Sequence, residues 1–162
     1  MPSTSWLVGF AVVVAAVLAT GAFGARAQQR TGPRIVAVEL QNGDPSPGGQ
    51  FVAVANRMRS TVDLGCWRLR SSSVTLTVAP PLRLRPGKVA LLTPERAWLK
   101  AVDRVRLIGR KGRLRDSTPR LTDRAYDDRI WFKRGAEWRF GRKVLGKGVL
   151  AGRLLATVHS CG

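Results

Sequence analysis

The side chains that could act as nucleophile, base or metal ligand are few and widely separated. The chain contains one histidine, His159, and two cysteines, Cys66 and Cys161. Nucleophilic catalysis needs a nucleophile, a base and a group that orients the base, yet no aspartate or glutamate follows Glu137 along the chain. With a single histidine, and with cysteines whose separation matches no metal-binding spacing, a zinc site would lack ligands. The sequence therefore predicts a protein that is not an enzyme and uses no metal or cofactor.

The densest acidic cluster, formed by Asp123, Asp127 and Asp128, carries the oxygen ligands that a calcium ion accepts. Its spacing is not that of an EF-hand loop. Arginines alternate with these acids, at Arg120, Arg124 and Arg129. We therefore interpret the cluster as local ion pairing on a loop rather than as a metal site.

The charge of the chain is strongly unbalanced. Its 162 residues include 28 lysines and arginines against 10 aspartates and glutamates, which gives a formal net charge of +18. The hydrophobic fraction of 44% is enough for a buried core, so this is not a disordered basic tail. A GC-rich genome would favour arginine over lysine, but it would not make acids scarce. The excess predicts a polyanionic partner: nucleic acid, an anionic membrane surface, or an envelope glycopolymer that carries phosphate or carboxylate.

Eight arginines alternate with apolar residues along short runs of sequence. Successive residues of a strand point to opposite faces of its sheet, so these arginines would cover the outer faces while tryptophan and leucine fill the core. Any strand needs a polar outer side, but eight arginines with few acids between them predict one continuous basic surface. The residues are Arg68, Arg70, Arg83, Arg85, Arg104, Arg106, Arg113 and Arg115.

These arginines require a scaffold of short strands. From Arg34 onward, apolar residues recur with a period of two, in runs separated by glycine, proline and other turn residues. Thr93, Pro94 and Glu95 have the pattern of a helix start, which predicts one short helix over residues 94–101. Many short strands with hardly any helix indicate an all-β sandwich or barrel. The predicted strands cover residues 35–38, 51–55, 66–70, 74–78 and 89–92, followed by hairpins of 105–108 with 114–115 and of 130–132 with 138–140.

Several of these segments, in this order, resemble the lamin-tail domain. Residues 49–56 read GQFVAVAN and residues 62–69 read VDLGCWRL, and both are similar to motifs of that family, the second being the more specific. Residues 84–87, LRPG, look like its proline–glycine turn, and residues 103–107, DRVRL, followed by Gly112 and Asp116, look like its hairpin. Two positions depart from the family pattern, since Ala53 replaces a usual glutamate and Cys66 replaces a small residue.

The resemblance covers residues 33–142 and implies an immunoglobulin-like β-sandwich, as in nuclear lamins and in many bacterial envelope and secreted proteins. It does not name a ligand, because a fold does not fix a function. Within the signature we interpret Trp67 as an anchor of the core, and Asp63 as a cap of the tight turn before its strand. Residues 143–162 then form a C-terminal strand or tail.

An apolar segment precedes this domain. Residues 7–23 are uncharged and almost wholly apolar, and Ala25-Arg26-Ala27 follows as a small-x-small site of the kind that signal peptidase cleaves. Against cleavage, residues 1–5 contain no lysine or arginine. In addition, Arg26, Arg30 and Arg34 follow the apolar run, where the positive-inside rule would hold them in the cytoplasm. We predict that residues 1–27 form an apolar helix, either a signal peptide or a membrane anchor, and that the domain is exported.

The cysteine pair has more than one interpretation. Apolar residues at 149–150 and 154–158 would add a last strand that brings Cys161 back toward Cys66. In an oxidising compartment the two could form one disulfide. Alternatively they are two unpaired thiols, or Cys161 links two chains.

Two functional hypotheses follow from the sequence. The first is a non-enzymatic, exported binding module whose strand-face arginines contact an anionic polymer, with counterion release contributing to affinity. The second is a protein–protein interaction or structural envelope module, in which an edge strand recruits the partner and the charge serves solubility. Salt separates them, because only the polyanion binder would lose affinity steeply with ionic strength.

Overall fold

The computed structural model describes residues 32–41, 49–146 and 148–161, and the predicted signal peptide or anchor at residues 1–27 lies outside them. Within these ranges every regular element is a β-strand except one 3₁₀ turn at His159–Cys161, so the all-β class is confirmed. No helix in the described ranges is long and apolar enough to cross a membrane. The strands are β1 (Arg34–Glu39), β2 (Phe51–Ala55), β3 (Val62–Asp63), β4 (Arg68–Arg70), β5 (Thr75–Val78), β6 (Arg83–Leu84), β7 (Val89–Pro94), β8 (Val102–Asp103), β9 (Arg106–Ile108), β10 (Leu114–Ser117), β11 (Leu121–Thr122), β12 (Ile130–Arg134), β13 (Glu137–Gly141) and β14 (Leu150–Leu155).

Ten of the strands form one curled sheet in the order β10-β9-β4-β5-β14-β7-β2-β1-β12-β13, and the pairs β3–β6 and β8–β11 form two small separate sheets. Asp116 of β10, at one end of this order, reaches across to β1. Its carboxylate accepts a hydrogen bond from the backbone N–H of Ile35 at 2.9 Å, and it pairs with Arg34 at 3.3 Å and Lys133 at 3.6 Å. One half of the sheet therefore faces the other.

The main core lies between these two halves. Leu69 of β4 and Leu107 of β9 contribute from one half, and Val52 and Val54 of β2 contribute from the other. Trp67 is 8% exposed and belongs to the same cluster, which confirms its predicted role as a core anchor. Burial of this apolar surface supplies the main favourable contribution to folding.

A second apolar cluster lies on the outer face of β7, β2, β1 and β12. Apolar residues occupy successive positions of β1, β2 and β7, so both faces of these strands are apolar rather than one. Ala37, Ala53 and Ile130 are buried there, whereas the other apolar residues of the cluster are only partly covered. We call this region the outer apolar face, and it includes Val36, Phe51, Val89, Leu91 and Phe132.

Both predicted hairpins are present. β9 pairs with β10, and β12 pairs with β13, each in antiparallel register. Gly112 and Gly135 lie in the two connections with φ values of +75° and +64°. Such positive values are readily adopted only by a residue without a Cβ, which explains glycine at each turn.

β14 occupies a central position in the sheet. It runs parallel to β7, with Gly152 opposite Leu92, and antiparallel to β5, with Leu154 opposite Val78. A Cβ added at Gly152 would lie 2.7 Å from a methyl carbon of Leu92 and 2.8 Å from one of Leu82. The strand predicted near the C-terminus is therefore a part of the same curled sheet.

The predicted helix over residues 94–101 is wrong. β7 continues through Pro94, and residues 95–100 follow as an irregular segment. The side-chain oxygen of Gln50 accepts hydrogen bonds from the backbone N–H groups of Trp98 and Leu99 at 2.8 and 2.9 Å. These long-range hydrogen bonds satisfy donors that a helix would have satisfied locally, so the segment is held in a non-helical path.

Candidate functional site

Four of the eight predicted arginines lie on one face, formed by two paired strands. In the register of β4 with β9, Arg70 stands directly opposite Arg106 and Arg68 opposite Ile108. Their neighbours Leu69 and Leu107 point into the core, so these side chains point outward. The alternation extends to the residues just before β9, where Arg104 is also exposed. We call this surface the arginine face, comprising Arg68, Arg70, Arg104 and Arg106.

A row of hydrogen-bond donors crosses this face. Arg106 stands opposite Ser117 of β10 on one side, and Arg70 stands opposite Thr75 of β5 on the other. The row therefore runs hydroxyl, guanidinium, guanidinium, hydroxyl over four strands spaced about 4.8 Å apart. Phosphate and carboxylate oxygens are the acceptors that guanidinium groups bind most strongly.

Among the residues that the structure describes, no acid forms an ion pair with the arginine face. The nearest acid in sequence, Asp103, is 2% exposed and accepts backbone hydrogen bonds from Ser72 and Arg104 at 2.8 and 2.7 Å. Like charges placed opposite each other on adjacent strands destabilise a sheet, and a bound anion would relieve this repulsion.

The other four predicted arginines lie elsewhere. Arg83 belongs to β6 of a separate small sheet, opposite Asp63, and Arg85 follows that strand. Arg113 and Arg115 lie at the hairpin end of β9 and β10, where the Arg115 guanidinium is 5.8 Å from the centre of the Trp67 ring. The structure thus places four of the eight predicted arginines on the arginine face. The other four lie on or beside β6 and in the β9–β10 hairpin.

Asp63 organises the turn that leads into β4, as predicted. Its Oδ1 accepts hydrogen bonds from the backbone N–H groups of Gly65 at 2.9 Å and Leu82 at 3.3 Å. Burial acts to raise the pKa of Asp63, but these hydrogen bonds and the nearby Arg110 guanidinium outweigh it and hold the pKa below its usual value. Arg110 pairs with Asp63 at 3.0 Å and donates to the carbonyl of Gly65. Sequence reasoning missed Arg110, because nothing local links positions that lie 47 residues apart.

Cys66 and Cys161 form a disulfide, with Cα atoms 5.4 Å apart across a separation of 95 residues. Cys66 occupies the turn capped by Asp63, in which the backbone N–H of Trp67 bonds to the carbonyl of Leu64. Its φ is +64°, a value that favours glycine. The bond joins the 3₁₀ turn at His159–Cys161 to the start of β4.

The acidic cluster differs from its predicted form. Asp127 pairs with Arg129 at 2.7 Å, as expected for local ion pairing. Asp123, however, is 2% exposed, and its Oδ2 has no hydrogen-bond partner among the described residues. Glu39 of β1 is 3% exposed, and burial raises its pKa to about 8, with a further contribution from the charges of three neighbouring aspartates. No group of three or more histidine, cysteine, aspartate or glutamate side chains in the described ranges is arranged to hold a metal ion.

The stability of the wild type is expected to decline between about pH 5 and pH 8, and Glu39→Gln should remove most of this decline. A carboxyl whose pKa rises on folding stabilises the fold fully below its ordinary value of 4.5, and this contribution is lost as the pH rises through about 8. The free energy of unfolding of the wild type should fall by about 2–4 kcal/mol over that interval. Urea unfolding at both pH values measures the change. Glu137→Gln, at an exposed acid, should leave the decline intact, and an equal decline in Glu39→Gln would contradict the assignment.

No protein-family model matches the chain, and no curated protein sequence matches it. The lamin-tail resemblance therefore depends on the motifs of the chain itself, above all on residues 62–69.

Proposed function

We propose that this protein is a non-enzymatic, exported module of the lamin-tail type that binds anionic polymers through the arginine face. The observation that carries the proposal is the cross-strand pair of Arg70 and Arg106, flanked by the hydroxyls of Thr75 and Ser117. In a sheet that only has to fold, an acid opposite one of these arginines would be more stable. Two unneutralised guanidinium groups side by side are instead suited to a ligand that carries repeated negative charges.

The mechanism is contact with the charged groups of the polymer rather than with its sequence. Guanidinium groups donate two parallel hydrogen bonds to a phosphate or carboxylate, and each contact releases condensed counterions from the polymer. The candidate polymers are nucleic acid, an anionic envelope glycopolymer and the headgroup layer of an anionic membrane. A net charge of +18 attracts all of them at long range.

Two observations support export and the lamin-tail assignment. The Cys66–Cys161 disulfide is suited to an oxidising compartment outside the cytoplasm. The curled, all-β sheet with Trp67 in its core is compatible with the immunoglobulin-like sandwich that the resemblance implies. Together with the apolar residues 7–23, they support a module that is secreted or tethered by its N-terminal segment.

The test is the salt dependence of binding to a short DNA duplex and to polyphosphate. The full chain should bind both polymers, with no preference among DNA sequences. Its affinity should fall by orders of magnitude between about 50 and 200 mM salt. In the double variant Arg70→Gln, Arg106→Gln, affinity should fall and the slope of log K against log salt should become shallower by about 1.5–2. Fluorescence anisotropy titrations at several salt concentrations measure both quantities.

Arg83→Gln, Arg85→Gln is the matched control, because it removes the same charge from a different sheet. It should weaken binding only slightly, through the smaller net charge. Equal losses in the two double variants would mean that total charge, and not the arginine face, determines affinity. Unchanged binding in both variants would reject polyanion contact through either surface.

The alternative function, recruitment of a protein partner through an edge strand, has one specific observation in its favour. β13 stands at the end of the sheet order and pairs with β12 on one side. A partner strand added there would bind through main-chain hydrogen bonds. Its affinity would change little with salt, and it would be unaffected by Arg70→Gln, Arg106→Gln.

A further inference from the structure

A cleft of about 480 Å³ opens on the outer apolar face, in the half of the sheet that does not carry the arginine face. Its floor is apolar and is made by Val36 of β1, Val89 of β7 and Leu145, which follows β13. Its rim carries three cations, Arg57, Lys133 and Lys143, and no acid lines it within the described residues. The volume falls within the range of about 300–1,000 Å³ that small-molecule sites occupy.

The cations of the rim differ in how far they are neutralised. Lys133 lies 3.6 Å from Asp116, and that carboxylate is shared with Arg34. Arg57 and Lys143 are exposed, and neither forms an ion pair within the described part of the chain. The Lys143 ammonium lies 4.7 Å from the centre of the Phe132 ring, which orients it beside the apolar floor. The mouth of the cleft is therefore positively charged.

The wall of the cleft is held in place by Asn56, which is fully buried. Its side-chain nitrogen donates to the carbonyls of Ser60 and Leu84, each at 2.8 Å. Its side-chain oxygen accepts from the backbone N–H of Met58 at 2.9 Å. These hydrogen bonds fix the loop after β2, so the cleft is open before any ligand arrives and binding requires no rearrangement of this wall.

We propose that this cleft binds a single-chain amphiphile with one anionic group, either a carboxylate or a phosphate. The apolar chain lies against Val36, Val89 and Leu145, and the anionic group lies at the mouth, where Lys143 and Arg57 donate to it. Charge complementarity and the partly covered floor select this chemistry over a neutral or cationic ligand. The site is separate from the arginine face, so it gives the protein a second, small-molecule ligand.

Calorimetric titration of the full chain with octanoate, octyl phosphate and octanol, all below micelle formation, tests the proposal. At least one of the two anions should bind with a stoichiometry of one, and octanol should bind about tenfold more weakly because it lacks the charge. Tighter binding of octanoate would indicate a fatty-acid carboxylate as the natural group, and tighter binding of octyl phosphate a lipid phosphate. Lys143→Gln should weaken the anion about tenfold, and Leu145→Gln should weaken the anion and octanol alike by about tenfold.

Two controls keep this outcome distinct from that of the polymer experiment. Lys100→Gln removes an exposed lysine far from the cleft in sequence and should leave amphiphile binding unchanged. Arg70→Gln, Arg106→Gln should also bind the amphiphile normally while binding DNA poorly. The proposal is overturned if neither anion binds, if Lys143→Gln and Leu145→Gln bind as tightly as the wild type, or if binding occurs only to phosphatidylglycerol vesicles and not to the soluble anions.

Discussion

Replacing Cys66 and Cys161 together by serine is expected to lower the free energy of unfolding by about 4–5 kcal/mol. The disulfide closes a loop of 95 residues, and a loop of that length removes much of the conformational freedom of the unfolded chain. Small domains have total stabilities of about 5–15 kcal/mol, so the variant should be marginal at best. Urea unfolding of the oxidised wild type, the reduced wild type and the serine variant measures the difference.

The reduced wild type and the serine variant should unfold at similar urea concentrations, both well below that of the oxidised protein. A matched variant with glycine at position 66 and serine at 161 should recover about 1 kcal/mol, because the positive φ of Cys66 is strained for any residue with a Cβ. Equal unfolding midpoints for the oxidised and reduced wild type would show that the disulfide contributes no stability.

Gln50→Ala is the second substitution with a large expected effect, a loss of about 4–6 kcal/mol. The side-chain amide of Gln50 is buried and makes four hydrogen bonds, donating to the carbonyls of Leu40 and Leu99 and accepting from the N–H groups of Trp98 and Leu99. Alanine would leave these buried backbone groups unsatisfied, each at a cost of about 1–3 kcal/mol less any gain from entering water.

Gln50→Glu separates hydrogen bonding from packing. It keeps the size of the side chain but replaces the donor NH₂ with an oxygen that faces two carbonyls. It should therefore also be strongly destabilising at neutral pH. In acid the loss of stability should be smaller, because the protonated carboxyl regains a donor. Arg96→Ala, on the same segment but exposed, is the control and should change stability by less than about 0.5 kcal/mol. Near-wild-type unfolding of Gln50→Ala would contradict this role for the amide.

The parts of the fold that depend on local chemistry were predictable from the sequence. The turns at Gly112 and Gly135 and the alternation on either side of them define two hairpins, and both are present. The segment after β7 was predicted wrongly, because its path depends on Gln50, whose partners Trp98 and Leu99 lie 48 and 49 residues away. The position of β14 was equally inaccessible, since parallel pairing with β7 leaves no local signal.

The candidate site was also predictable only in its local features. Alternation along β4 and β9 predicted that Arg68, Arg70 and Arg106 would point outward, but only the strand pairing places Arg70 beside Arg106. The outer apolar face did have a signal, because the chain is apolar at successive positions of residues 35–38, 51–55 and 89–92. Such runs indicate strands covered on both faces. From the period of two we predicted that each of these strands has one polar face. We therefore missed the outer apolar face and the cleft on it.

The central position of β14 constrains the order in which the molecule can assemble. β5 and β7 are complete by Pro94, yet each leaves an open edge until Leu150–Leu155 inserts between them. A chain emerging from the ribosome therefore cannot close its sheet until that late segment is free. Closing the sheet pairs strands that lie far apart along the chain, and contacts of this kind are associated with slow folding. Until then the earlier part of the chain has two unpaired strand edges, one at β5 and one at β7.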